Sequence, residues 1–216
     1  MTAAILVIGA TGTTGKELAK RLAKNGHKTR ATVRPTSDKR ELQALGVELV
    51  QADLSDVVSL VKAMGGIQKV YFATPLVPNM VELSSSIIRA AKSTGVKHLV
   101  KLSGGGAEIE LDTMAKWHRA VEREIEQSGI THTFLRSNSF MQNFSNFSSH
   151  TIRDHGAFYA PHGDGKRHTL MPAILPMLLI GSWRKKFIRT RRITCRGQRH
   201  FLVPKLQIFF LRQPGK

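Results

Sequence analysis

A chain of 216 residues, 41% of them hydrophobic, can bury one substantial core, and its lone Cys195 excludes an internal disulfide. The formal net charge of +18 would ordinarily direct attention to nucleic acid or an anionic surface. Its distribution changes that reading: thirteen of the 33 Lys and Arg lie from Gly165 onward, where there is no Asp or Glu, so the first 164 residues carry a net of only +5.

The first strand is the run Ala3-Ala4-Ile5-Leu6-Val7-Ile8, apolar throughout and suited to a place inside a parallel sheet, buried on both faces. It leads into Gly9-Ala10-Thr11-Gly12-Thr13-Thr14-Gly15, and a helical pattern begins at Lys16. Strand, G-x-x-G-x-x-G and helix together fit a dinucleotide site. Gly9 permits the tight turn, Gly12 lets a pyrophosphate approach the backbone, and Gly15 lets the helix pack on the strand. The helix N-terminus then offers amide N–H groups and its dipole to the phosphates.

Further strands are predicted over 28–33, 47–51, 69–72, 96–101 and 130–135, with helices over 38–45, 55–64, 79–94 and 112–128. Gly26, Gly46, Gly65, Gly95 and Gly129 act as helix stops. This alternation predicts an α/β, Rossmann-like, doubly wound parallel sheet, in which ligands sit at the carboxyl ends of the strands. After strand two stands Arg34, where a site for the unphosphorylated cofactor carries an acidic residue. A guanidinium holds a 2′-phosphate, so NADP(H) is expected over NAD(H). After strand three, Asp53 either accepts from the adenine amino group or, with Ser55, caps the next helix. Thr74 begins a loop after strand four that can cover the cofactor ribose. Ser103 ends strand five, either bonding a substrate oxygen or satisfying its turn, and Asn138 follows strand six within reach of a nicotinamide. His118 and Glu122 are one helical turn apart and predict a local pair. No further His or Cys completes a metal shell, so no metal is expected.

Gly9-Ala10-Thr11-Gly12-Thr13-Thr14-Gly15, Val33-Arg34-Pro35, Trp117-His118-Arg119 before Ser128-Gly129-Ile130, and Phe134-Leu135-Arg136 through Phe140-Met141-Gln142-Asn143 together resemble the NmrA-like family. Its members are atypical short-chain dehydrogenase relatives, among them NAD(P)H:quinone oxidoreductases and redox-sensing regulators. The likeness runs over residues 3–166, ending in Gly156-Ala157-Phe158-Tyr159-Ala160-Pro161 and Gly163-Asp164-Gly165-Lys166. It implies cofactor contacts at Gly9, Thr11, Gly12, Thr13, Thr14, Gly15 and Arg34, and further ones at Asp53, Thr74 and Asn138. Conventional short-chain dehydrogenases carry Tyr-x-x-x-Lys on the helix after strand five. Here the tyrosines are Tyr71 and Tyr159, so carbonyl reduction by that route is not expected. A quinone demands less, because the anion left by hydride transfer is stabilised and solvent or His118 can protonate it. The expected partner is therefore a small-molecule acceptor such as a quinone, or a protein partner if the chain is a non-catalytic NADP(H)-sensing regulator.

The expected organisation is a Rossmann-like domain over 1–166 and a basic, atypical tail over 167–216. The apolar stretch Leu170–Ile180 is about half a bilayer span and holds Pro172 and Pro176. The basic run from Trp183 onward is compatible with a nucleic-acid or membrane arm, although neither partner is the expected one. Read in a shifted frame, Met171 to Leu179 allows Ala-Arg-Asp-Ile-Ala-Asp-Val-Ala, and the same register around Arg196 to Leu202 allows Pro-Gly-Pro-Glu-Ala-Leu-Ser. Both strings look like family segments, so a frameshift near Lys166–Met171 is expected, leaving the substrate side truncated or irregular. The lone cysteine, and an N-terminal apolar run too short to be a leader and without a basic flank, predict a cytoplasmic setting.

Overall fold

The computed structural model describes residues 4–140, 142–155, 166–168, 191–195 and 200–202. Strand β1 (Ala4–Ile8) has no polar face, and Ile5, Leu6, Val7 and Ile8 are all buried. Such a strand needs cover on both sides. It lies parallel between β2 (Thr29–Val33) and β4 (Ile67–Phe72). With β3 (Glu48–Gln51), β5 (His98–Gly104) and β6 (Thr131–Ser137), the six strands run parallel in the order β3-β2-β1-β4-β5-β6. This is the Rossmann-like arrangement the alternation predicts.

The crossovers are helices α1 (Thr13–Lys24), α2 (Arg40–Ala44), α3 (Val57–Met64), α4 (Met80–Ser93) and α5 (Thr113–Gln127), the last preceded by a 3₁₀ turn at Ala107–Ile109. Leu6, Ile8, Val70, Phe72, Leu99 and Phe134 of the sheet meet Leu60 and Met64 of α3, Ile87 and Ile88 of α4, and Val121 and Ile125 of α5 in one buried cluster. Strand order reverses between β1 and β4, which opens a crevice at the carboxyl ends of these strands.

Several boundaries differ from the expected ones: β4 starts at Ile67, and β5 and β6 run on to Gly104 and Ser137. The helix predicted over 38–45 narrows to Arg40–Ala44, because Lys39 at its start offers no side-chain cap. The stop after α3 falls to Gly66 at φ +73°, the preceding Gly65 keeping a negative φ that any residue adopts. Helix α6 (Gln142–His155) is not expected from local pattern, since its Asn- and Ser-rich sequence has weak helical propensity and no clear apolar stripe.

Where the alternation ends after Lys166, the structure still forms β7 (Lys166–His168), β8 (Arg191–Cys195) and β9 (His200–Leu202). Strand β8 stands next to β6 in the sheet, and β7 pairs antiparallel with β9. The chain divides into two compact units: one runs to Ser137, takes in β8 and carries the sheet, and the other opens at Asn138 with α6 and the β7–β9 pair. The segment 156–165, the apolar stretch 170–180 and the basic residues 184–190 and 196–199 lie outside the described residues.

Candidate nucleotide site and its buried polar wall

The glycine loop joins β1 to α1 through a turn in which the Gly12 N–H donates to the Gly9 carbonyl at 3.0 Å. Gly9 sits at φ +81°, and a Cβ there would meet the Ala73 carbonyl oxygen at 2.8 Å. A Cβ on Gly15 would lie 2.2 Å from the Gly9 oxygen, so only a hydrogen lets α1 come this close to the strand. Gly12, exposed at the helix cap, is more tolerant, its Cβ meeting the Gly9 oxygen at 3.3 Å.

Since Gly12 caps α1 without a side-chain bond, the amides of the first turn have no carbonyl partner within the helix. Thr11 and Thr13 are exposed beside them. The buried Thr14 turns its hydroxyl inward, where it accepts from Tyr71 at 2.9 Å, so only its backbone faces a ligand. Burial pushes the Tyr71 phenol up, and it serves as a strut between β4 and α1.

A cleft of about 290 Å³ continues from this loop towards the end of β2, lined by Ala10, Thr11, Lys16, Arg34, Ser37 and Glu41 among others. Its carboxylates are already committed. Glu41 pairs with Lys16 at 2.7 Å and Lys20 at 2.5 Å, and these bonds hold it down at about 2. Asp38 takes two bonds from the Arg40 guanidinium and one from its backbone amide, which likewise hold it at about 2. Arg34, on the cleft rim, carries no ion pair among the described residues.

Asp53 is exposed after β3, with Oδ1 accepting from the Ser55 amide at 2.9 Å and its hydroxyl at 2.7 Å; these bonds lower its pKa. The cap of α3 is neither Asp53 nor Ser55. Asp56 accepts from the Val58 amide at 2.8 Å. Thr74, half-buried, accepts a long 3.4 Å bond from Ser84. Asn138 is half-buried and opens the second unit.

At the β5–β6 end, the predicted His118–Glu122 pair does not form, because stronger partners claim each residue. Glu122 is fully buried and receives Arg136 through Nε at 3.0 Å and Nη2 at 2.6 Å, with the Ser103 hydroxyl at 2.7 Å. Arg119 reaches it at 3.2 Å, and Glu108 of the 3₁₀ turn meets the far side of Arg136 at 3.2 Å. Burial alone would raise the Glu122 pKa; the bonds from Arg136 and Ser103 outweigh it and hold Glu122 ionised. Ser103 is thus turned into the core rather than into the crevice.

His118 instead meets Lys101, whose Nζ lies 3.0 Å from its Nδ1. Lys101 is fully buried on β5, donates to the Leu102 carbonyl at 3.1 Å and stands 5.8 Å over the Phe72 ring. Burial lowers Lys101 to about 7, against the attraction of Glu122. His118 is lowered to about 3 by burial and then by Lys101. The opposite edge of the imidazole rests on Gly104, where a Cβ would stand 2.7 Å from Cδ2 and 3.2 Å from Nε2.

Lys101 lies in a strand expected from sequence, where local pattern gives it no role. Its signal was available: a lysine inside a strand of a doubly covered sheet has to find partners. Among the described residues no group of three or more His, Cys, Asp or Glu is placed to hold a metal, and no helix is long and apolar enough to cross a membrane.

Residues 1–168 match the NmrA-like family. The chain is 39% identical over 163 residues to an NAD(P)H azoreductase of Xenophilus azovorans, covering 75% of this chain and 57% of that protein. It is 30% identical over 165 residues to quinone oxidoreductase 2 of Escherichia coli K12, again covering 75% and 57%. In structure it resembles the NADPH-dependent quinone oxidoreductase of Escherichia coli complexed with NADPH, with a TM-score of 0.80 at 26% identity over 92% of this chain and 71% of the other. The triphenylmethane reductase of Citrobacter sp. shares the fold, with a TM-score of 0.80 at 23% identity over 93% of this chain and 72% of the other. The chain therefore spans little more than half the length of the curated relatives it matches.

Proposed function

This chain belongs to the NmrA-like family, and from that premise we propose that it is an NADPH-binding oxidoreductase that reduces a small conjugated acceptor of the quinone type. The observation that carries the reading is the glycine cradle at the crevice. Without side chains, Gly9 closes the turn under Ala73 and Gly15 lets α1 pack on the loop, so the uncapped first turn of α1 presents its amides at the end of β1. The backbone of Gly12, Thr13, Thr14 and Gly15 would hold the pyrophosphate.

Arg34 and Lys16 line the cleft on the β2 side, so the adenosine half would lie there, with Arg34 on a 2′-phosphate. Asp38 and Glu41, bound to cations of their own, would repel that phosphate less than unpaired carboxylates. By the strand order, the other half of a dinucleotide would extend over the ends of β4 and β5, towards Thr74, Gly104 and His118. A bound dihydronicotinamide supplies a hydride. The chain's own residues hold it, exclude water and deliver a proton to the reduced acceptor. The names of the relatives, an azoreductase and a quinone oxidoreductase, favour conjugated acceptors.

Fluorescence titration with NADPH and NADH, followed by NADPH oxidation against a panel of quinones and azo compounds, tests the reading. Saturable NADPH binding with acceptor-dependent oxidation is the expected result. A folded chain that binds neither nucleotide overturns it, and binding without oxidation by any acceptor marks a sensor instead. A shifted reading frame beyond Lys166 is likewise proposed, and sequencing the gene across those codons decides it.

A further inference from the structure

We propose that Lys101 and His118 form a buried proton relay, in which Lys101 acts through His118 to protonate the acceptor at the β5 end of the crevice. The inference rests on the reductase reading and adds to it the source of the proton and the residue that positions it.

Geometry carries the argument. Lys101 has no apolar alternative: its ammonium is enclosed by β5 and the Phe72 ring, and its recorded bonds go to the Leu102 carbonyl and to His118 Nδ1. An ammonium only donates, so a protonated Lys101 obliges Nδ1 to accept and places the ring proton on Nε2. That edge of the ring lies against Gly104, at the carboxyl end of β5, the same end of the parallel strands as the glycine loop. The missing side chain at Gly104 leaves room for the ring there.

A neutral imidazole is by itself a poor acid. Backed by Lys101 it becomes a conduit. As the Nε2–H bond breaks and an O–H bond forms on the reduced acceptor, an Nζ–H bond breaks and an Nδ1–H bond forms. The two electrons come from the dihydronicotinamide hydride, and the proton comes in net from Lys101. After product leaves, solvent protonates Nε2 and the Nδ1 proton returns to Lys101. A phenolate-type oxygen, with a pKa of about 10, takes a proton readily from an ammonium at about 7.

The charged groups around the pair are committed elsewhere. Glu122 on α5 accepts from Arg119 on the same helix and from Arg136 on β6, which also holds Glu108 of the 3₁₀ turn. Glu122 favours the protonated Lys101 from a distance, and Lys101 in turn disfavours an imidazolium at His118.

The test combines nitrogen NMR of labelled histidine in the cofactor-free protein with acceptor reduction across pH, on wild type, Lys101→Met and His118→Gln. In wild type, His118 is expected as the Nε2–H tautomer with no imidazolium down to pH ~4. Lys101→Met is expected to remove the tautomer preference and raise the His118 pKa. With a quinone, wild-type turnover should fall as pH rises through about 7. Both variants should lose about 100-fold in kcat and that pH limb, while still binding NADPH.

A His118 that is charged near neutrality or protonated at Nδ1 overturns the relay, as does a Lys101→Met enzyme with wild-type turnover and pH profile. Failure of wild type to oxidise NADPH with any acceptor overturns the reductase reading, and the relay with it. The two failures are thus distinguishable.

Discussion

At the β1–β2 end of the crevice, the groups that would meet a ligand are backbone amides and exposed side chains on one continuous stretch, with Arg34 the nearest addition from a neighbouring strand. At the β5–β6 end the polar groups are largely buried side chains drawn from β5, α5 and β6, tied by Glu122–Arg136 and Lys101–His118, with Glu108 of the 3₁₀ turn at the exposed margin. The first end is a shape, set by where a Cβ cannot go. The second is an arrangement of charge, set by which buried groups have partners. Loss of a partner should therefore be costly at the second end, and loss of space should be costly at the first.

The largest effect is expected at Glu122. Glu122→Ala leaves Arg136 buried without its two bonds to Glu122 and strands the Ser103 hydroxyl, a loss of about 3–5 kcal/mol to be read by urea unfolding. If the network were a surface feature, the loss would stay below about 1 kcal/mol. At the other end, Gly15→Ala drives a Cβ to 2.2 Å from the Gly9 oxygen, so backbone must move. The expected cost is about 3 kcal/mol, at the upper end for overpacking, with loss of NADPH binding. The same substitution at Gly12, where the contact is 3.3 Å, should spare the fold.

The two ends also differ in how far they were legible in the sequence. Six strands, five helices and the glycine loop follow from local pattern, because an apolar run and three glycines constrain the backbone on which they lie. For His118, local spacing points to the wrong neighbour. The i, i+4 spacing to Glu122 was true of the helix, yet Arg136, fourteen residues on, offers that carboxylate a bidentate bond and desolvated surroundings. Ser103 was placed at the right strand end, and its inward rotation follows from the same carboxylate. Partner choice among buried polar groups is a property of the packed sheet and does not appear in spacing. Helix α6 escaped for another reason: Ser and Asn compete with the backbone in local propensity, and its sequence carries no strong apolar stripe.

Lys101 sharpens the comparison with a change of opposite sign. The unfolded chain holds the lysine proton up to about 10.5, whereas the folded chain releases it at about 7. Between those values the unfolded state binds more protons, so stability rises with pH through that window and the penalty is fully present below about 7. Lys101→Met should accordingly stabilise the protein by about 2 kcal/mol near pH 7, within the range for replacing buried ionic groups by apolar ones. Thermal unfolding should show that advantage shrinking as pH approaches 10. A variant that gains stability while losing the alkaline limb of turnover would place the lysine in chemistry rather than in the core.

The smallest effect on stability is expected at Arg34, which is exposed and makes no ion pair among the described residues. Arg34→Ala should change the unfolding free energy by no more than about 0.5 kcal/mol, as for an ordinary surface site. Its effect on binding should be selective. Removing one charge-assisted contact to a 2′-phosphate costs about 1.5–3 kcal/mol, or roughly tenfold to a hundredfold in NADPH affinity, and leaves NADH untouched because NADH has no phosphate there. Equal weakening of both nucleotides would mean that Arg34 acts on the adenine or the pyrophosphate. No change in either would assign the 2′ position to Lys16, whose bond to Glu41 would then have to open on binding. Each outcome reads the exposed end of the crevice through affinity alone, with the fold intact, which is the separation that the buried end does not allow.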